Sequence, residues 1–441
     1  MPGSEFPTRS PATWRTMKFN WRGFARFTRN GLFEARDTHY RLTLHRIGWA
    51  IAFYTFFPLL ELATWGGFLL DDLLFRGYRK QQVHGPVFII GNPRSGTTFL
   101  QRLMSRDVDN FTAMKTWEIL FAPSITQRRF WHALSALDDR LGGHVKRWAK
   151  AAERRYGKEL VTHRLSLDEP EEDEFILLHI WSTVVINVFS AVMDEALAYT
   201  HFDRALPRAE KERITAFYRQ CVKRHAFARG VGDGRYHLAK SPCFSPKMEA
   251  LGSAFPDAKF IYLVRNPLDV VPSYMSLLDL QWSILADPLE KWAGRDYVLE
   301  MIRHWYTYPL ERLATAPPDR YAIVRYDDLV TDAERTLAEV YGRLGLEMSP
   351  QFARLLHAAA ERERHYVSDH RYSLESMGLT RERLVSVFHD IIERFGFDTE
   401  ESSVQTEVSE KERTSRYVGE TVAREGDLCR TDITERSCTS I

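Results

Sequence analysis

Cysteine is scarce in this chain. The four that occur, Cys221, Cys243, Cys429 and Cys438, show no metal-ligand spacing. That excludes a disulfide framework or a clustered zinc site and favours a reducing compartment. An excess of charge of one sign is missing too: 60 Lys and Arg stand against 59 Asp and Glu, a net charge of +1. Such a balance supplies no global field for a nucleic-acid partner, and none is expected. A secretory signal is also lacking, because residues 1–46 are polar and arginine-rich rather than apolar.

One long apolar run is present. Residues 47–75, IGWAIAFYTFFPLLELATWGGFLLDDLLF, are broken chiefly by Pro58 and Glu61. A spanning helix needs about 20 uninterrupted apolar residues. The interruptions therefore favour a pair of amphipathic helices lying on one leaflet, with a single span and a protein-buried helix as alternatives. Trp14, Arg15, Lys18, Trp21, Arg22 and Arg26 precede the run, and their charge keeps the amino terminus cytoplasmic in either membrane case. Three regions follow: a membrane-associating segment 1–82, a globular domain 83–395 and a polar tail 396–441, expected to be disordered.

Within the globular domain four short β-rich runs stand out: VFIIG (87–91), YHLAKS (236–241), KFIYLVR (259–265) and YAIVRY (321–326). None alternates cleanly, so they read as buried parallel strands separated by helices. One of those helices is expected over the apolar stretch 175–193. The class is α/β: a P-loop-like three-layer fold with a central parallel sheet flanked by helices, plus the amino-terminal hydrophobic helical segment.

The first strand runs into GNPRSGTTFL. Its outline is that of a phosphate-binding loop, G-x-x-x-x-G-K-[ST], with Gly91, Gly96 and Thr98 in place and Thr97 where the lysine belongs. Backbone N–H groups from Ser95 to Thr98 at a helix start can hold an anion, and Arg94 supplies a forked cation. Without the lysine a triphosphate fits poorly, and a shorter anion fits better. A second signal is KFIYLVRNPLDVVPSY, in which strand-terminal Arg265 and helical Ser273 can converge on another anion at the carboxyl edge of the sheet. Two anion sites suit a nucleotide with both 3′- and 5′-phosphates.

FIIGNPRSGTTFL together with FIYLVRNPLDVVPSY resembles the paired signatures of sulfotransferases that use 3′-phosphoadenosine 5′-phosphosulfate (PAPS). LAKSP (238–242), VRYDDLV (324–330) and HRYSLESMGLT (370–380) resemble later blocks of that family. The likeness is to the broad branch containing bacterial and tyrosylprotein sulfotransferases. It implies PAPS as co-substrate, no metal, and sulfuryl transfer to a hydroxyl-bearing acceptor. Arg94, Ser95, Gly96, Thr97, Thr98, Arg265 and Ser273 would hold the donor, with Arg371 and Tyr372 closing over it.

Some members of the family place a histidine two residues after a lysine, but here Lys240 is followed by Ser241-Pro242. In the tyrosylprotein branch a glutamate after the loop is the base, which points to Glu118, with Lys240 and Arg94 stabilising charge on the donor. The acidic run DEPEEDEF (168–175) reads first as a helix start, and otherwise as a carboxylate that shares base duty with His163 near the acceptor. His179 and His237 read as packing or surface residues.

The short link between residues 47–75 and the first strand suggests a site facing a membrane and a lipid or lipophilic alcohol as acceptor. Tyrosyl peptide and carbohydrate stay open, as do a cytoplasmic face and a Golgi-type arrangement. From other classes, a nucleotide kinase and a non-catalytic PAPS-binding protein are the alternatives.

Overall fold

The structure, a computed structural model, describes residues 18–144, 147, 151, 167–189, 194–230, 234–287, 294–356, 374 and 377–399. The four β-rich runs form strands β1 (Val87–Gly91), β3 (Tyr236–Lys240), β4 (Lys259–Val264) and β5 (Tyr321–Arg325). A further strand, β2 (Phe111–Thr112), has only two residues and gives no sequence signal. All pairings are parallel and the order is β2-β3-β1-β4-β5.

Alternation along the strands separates two cores. Phe88, Ile90, Ala239, Tyr262 and Val264 pack with the helices Arg208–Ala228, Pro267–Leu285 and Arg295–Leu313. Val87, Ile89, Leu238, Ile261, Leu263 and Val324 pack on the other face with the helices Thr97–Met104 and Ala333–Arg343. A sheet buried on both faces carries continuous apolar strands, which is why no alternation showed in the sequence. From β1 the chain passes to the edge strand β2, returns to insert β3 between β2 and β1, then crosses to the other side of β1 for β4 and β5. The reversal leaves a crevice at the carboxyl ends of β1 and β4, where ligands of open α/β sheets bind.

Residues 47–75 correct one expectation. All but Phe75, which caps it, lie in a single helix, Leu44–Leu74, continuous through Pro58, rather than in a helical pair. A proline inside a helix costs about 3 kcal/mol. Tertiary contacts on one side offset this: Phe53 and Phe57 surround Trp181 with Phe24 and Phe27. Further along, Phe68 enters the main core. Glu61, which looked like an interruption of an apolar run, is buried and accepts from His179 Nδ1 at 2.7 Å.

The stretch 175–193 is a second correction. It holds two 3-10 helices, Asp173–Ile180 and Val184–Phe189, joined at Trp181 in the left-handed region (φ 50°). Residues 190–193 lie outside the described set. Four side chains here reach different partners: Asp173 holds Tyr218 and His237, Glu174 holds Lys247, His179 holds Glu61, and Trp181 enters the aromatic cluster. One regular helix could not point all four correctly, so tertiary contacts override the apolar pattern.

Candidate active site

Three adjacent strands deliver the site. β1 ends at Gly91, which pairs with Leu263 of β4, and Lys240 of β3 pairs with Ile89 of β1. Neighbouring strands lie about 4.8 Å apart. Lys240 and Arg265 therefore flank the loop that leaves β1.

The loop depends on its glycines. A Cβ on Gly91 would sit 2.5 Å from the Leu263 carbonyl oxygen, and one on Gly96 would collide with the Tyr326 ring. Gly96, at φ 94°, caps the helix Thr97–Met104, whose first turn leaves N–H groups facing the loop. Arg94 also has positive φ (66°), a conformation that costs a non-glycine residue roughly 1–3 kcal/mol and clusters at functional sites. Ser245, from the segment after β3, ties down the start of the loop. Its Oγ donates to the Gly91 carbonyl at 2.9 Å and accepts from the Gly91 N–H at 3.1 Å.

The two sequence signatures meet. Arg94 Nε donates to Ser273 Oγ at 2.9 Å, and Arg265 Nη1 donates to the Arg94 carbonyl at 3.1 Å. Arg265 also lies 4.5 Å above the Tyr326 ring and 3.4 Å from Asp269. Asn266 caps the helix that carries Ser273, accepting from the Leu268 N–H at 3.0 Å, and Pro267 occupies its first turn. Asn92, which sequence reasoning passed over, is fully buried inside the loop. Neither polar atom of its side-chain amide has a hydrogen-bond partner among the described residues. A buried amide so placed is costly unless something bound satisfies it.

Lys240 is buried, and its ammonium lies 3.1 Å from Glu172 and 3.5 Å from Glu171. Ser241 Oγ donates to the other Glu172 oxygen at 3.2 Å. Burial alone would lower the Lys240 pKa, but the two carboxylates outweigh it and hold it above its ordinary value. Burial pushes the Glu172 carboxyl above the usual range, against the pull of Lys240. The acidic run is thus more than a helix start: its carboxylates are distributed among the buried cations Lys240 and Lys247 and the pair Tyr218–His237.

Glu118 sits elsewhere in its contacts. One oxygen accepts from Arg229 at 2.8 Å with Arg128 at 3.5 Å, and the other accepts from the Lys115 N–H at 2.9 Å. It belongs to a buried group with Arg128 and His225, whose pKa burial lowers, strongly so for the histidine. His163, Arg371 and Tyr372 lie outside the described residues. His179 and His237 are both buried and paired with carboxylates.

Residues 86–350 match the model of the sulfotransferase family. The chain belongs to that family. It is 27% identical to the omega-hydroxy-beta-dihydromenaquinone-9 sulfotransferase Stf3 of Mycobacterium bovis, and equally to that of Mycobacterium tuberculosis, over 81% of this chain and 87% of each relative. Two crystal structures share the fold. Sulfotransferase STF9 from Mycobacterium avium has a TM-score of 0.63 at 18% identity, over 90% of this chain and 99% of that one. Sulfotransferase STF1 from M. tuberculosis has 0.57 at 19%, over 75% and 82%. The chain is therefore an enzyme of sulfuryl transfer, and the kinase alternative falls away.

Proposed function

We propose that this enzyme moves a sulfuryl group from PAPS to the hydroxyl of a lipophilic alcohol at the cytoplasmic face of a membrane. The observation that carries the donor is the meeting of the Gly91–Thr98 loop, Lys240 and the Arg265–Ser273 pair at the ends of three neighbouring strands. The residues fit such a donor: the N–H groups of the loop helix and Arg94 face a 5′-phosphosulfate, Arg265 and Ser273 a 3′-phosphate, and Asn92 offers an amide with no other partner. When bound, PAPS supplies the activated sulfuryl group. Lys240, which is buried, and Arg94 then place positive charge where the leaving phosphate gains negative charge.

Family resemblance gives the base role to Glu118. Because Glu118 is closed off from solvent among Arg128, Arg229 and the Lys115 N–H, whereas Glu172 is partly open and touches Lys240, we assign the proton to Glu172 instead and keep Glu118 as the second candidate. Glu172 adjoins Lys240, and its desolvated carboxyl is a stronger base than an exposed one. The lipid acceptor is supported by the relative whose name states a menaquinone derivative, and by the exposed apolar side of the Leu44–Leu74 helix. Bacterial relatives lend the Golgi-type arrangement no support.

The test is transfer itself. Purified protein given sulfur-labelled PAPS and a bacterial lipid extract should yield a labelled, organic-soluble product. Label appearing only on added tyrosyl peptide or oligosaccharide overturns the lipid reading, and label remaining on PAPS with every acceptor class overturns transfer from PAPS.

A further inference from the structure

Charge is absent from the outward side of the Leu44–Leu74 helix between Ile47 and Leu70. Glu61 is the only Asp, Glu, Lys, Arg or His of that stretch, and it is turned into the domain against His179. The outward side carries Ile51, Phe56, Leu59, Leu62 and Leu69, all exposed, along roughly 27 Å at 1.5 Å per residue.

Two other helices flank it. Ile125–Arg140 packs on its second half at Gly67, where a Cβ would strike Ser124, and at Thr64, which accepts from Gln127 at 3.2 Å. Beyond Arg128 that helix is almost wholly exposed. Phe130, Leu134, Leu137 and Leu141 recur every three or four residues as one stripe, 43–67% exposed, with Trp131 beside it. An amphipathic surface helix normally turns such a stripe toward the core, whereas this one turns it away. Trp21–Phe33 packs on the first half through Phe24 and Phe27. Its exposed side carries Arg22, Arg26 and Arg29, spaced to share a face. Arg22 and Arg26 line a cavity of about 190 Å³ with Trp181 and Ile186 among its walls.

We propose that these three helices dock the protein in the plane of one anionic bilayer leaflet and that none of them crosses it. The inference rests on the membrane residence proposed above and adds the surface and its orientation. Crossing would require Leu44–Leu74 to leave the domain, yet Ala50, Glu61, Thr64, Gly67, Phe68 and Asp71 are buried along its length. Withdrawing it would strand His179 and Arg224 as buried charges without their carboxylate partners. The stripe on Ile125–Arg140 belongs to the domain itself, so only in-plane docking covers both apolar surfaces. Apolar faces beside a row of arginines match acyl chains beside lipid phosphates.

The full-length chain is mixed with vesicles of phosphatidylcholine, with and without phosphatidylglycerol, and floated. The wild type should float, more completely with the anionic lipid. Leu134→Glu with Leu137→Glu, exposed positions, should reduce the bound fraction about tenfold or more while adenosine 3′,5′-bisphosphate binding persists. Arg22→Ala with Arg26→Ala should abolish the preference for anionic lipid. In reconstituted sealed vesicles, protease added outside should cut both the amino terminus and the domain.

Four results overturn the proposal. Protection of one end alone means a span. Unchanged flotation of the leucine variant removes Ile125–Arg140 from the surface. A lipid-free dimer that the leucine variant dissociates, without loss of flotation, assigns the stripe to a second copy. Failure of the wild type to float removes membrane residence, while PAPS-dependent transfer to a soluble alcohol shows separately whether the catalytic reading stands.

Discussion

Glu172 and Glu118 present opposite surroundings, so the same substitution should do different things to them. Glu172→Gln removes a base beside Lys240 and should lower kcat by roughly 10²–10⁴-fold, while Glu171, 3.5 Å from the buried Lys240 ammonium, keeps that cation partnered and the protein folded. Wild-type turnover should fall as pH drops through a carboxyl pKa above the ordinary 4.5, because the base must be ionised, and that limb should disappear in the variant. Glu118→Gln leaves the buried Arg128 poorly compensated and removes the partner of the more exposed Arg229, so its main effect should be on folding, a loss of about 3–5 kcal/mol in chemical denaturation. A fully folded Glu118→Gln protein without turnover would return the base to Glu118. At Gly96 the constraint is steric. Gly96→Ala places a methyl group against Tyr326 at φ 94°, and Tyr326 supports Arg265. A weakening of bisphosphate binding by about tenfold or more is expected in calorimetry, from loss of a charge-assisted contact. Arg94, Arg265 and Ser273 could be named from sequence because they sit in dense local motifs. Asn92 could not, since its burial without partners is a property of three dimensions. The pairing of Glu172 with Lys240, 68 positions apart, needed the fold as well.

At the scale of elements, the apolar helix and the domain meet through His179 and Glu61. Both ring nitrogens of His179 face acceptors, Glu61 at 2.7 Å and the Ile119 carbonyl at 2.9 Å, an arrangement only the charged imidazole satisfies by donating twice. Burial alone would lower its pKa, but Glu61 prevails and raises it above 6.5. The pair therefore contributes stability that is full below about pH 6.5 and is lost as pH rises through the elevated folded value. Thermal unfolding of wild type and His179→Gln should differ most near pH 5 and converge toward alkaline pH, and a constant gap would show that the histidine contributes by packing alone. Four of the five strands were legible because buried parallel strands are short apolar runs bounded by loops. β2 was not, having only two residues. The helices at 47–75 and 175–193 were misread for a shared reason: Pro58 and Glu61 in one, and the dense apolar pattern in the other, are settled by partners more than 100 positions away or by a distant aromatic cluster.

For the whole molecule, ligand linkage offers a readout that needs no acceptor. Adenosine 3′,5′-bisphosphate at a hundred times its Kd should stabilise the protein by about 2.7 kcal/mol and raise its melting temperature, whereas ATP with Mg²⁺ at equal concentration should raise it far less. A larger shift with ATP would remove the two-phosphate reading of Arg94, Arg265 and Ser273. One carboxylate has a further consequence. Asp71, at the end of the apolar helix, accepts from the N–H groups of Ile125 and Thr126, both at 2.8 Å, and from Arg224 at 3.1 Å. Arg224 lies 153 positions later in the chain. At about 5–20 residues per second the ribosome reaches it roughly 8–30 s after Asp71. For most of that interval the nascent helix is outside the tunnel with its apolar side bare and its carboxylate without the Arg224 counter-charge. The order in which the parts are made thus gives a holdase or a lipid surface first access to Leu44–Leu74, before the rest of the polypeptide exists to compete for it.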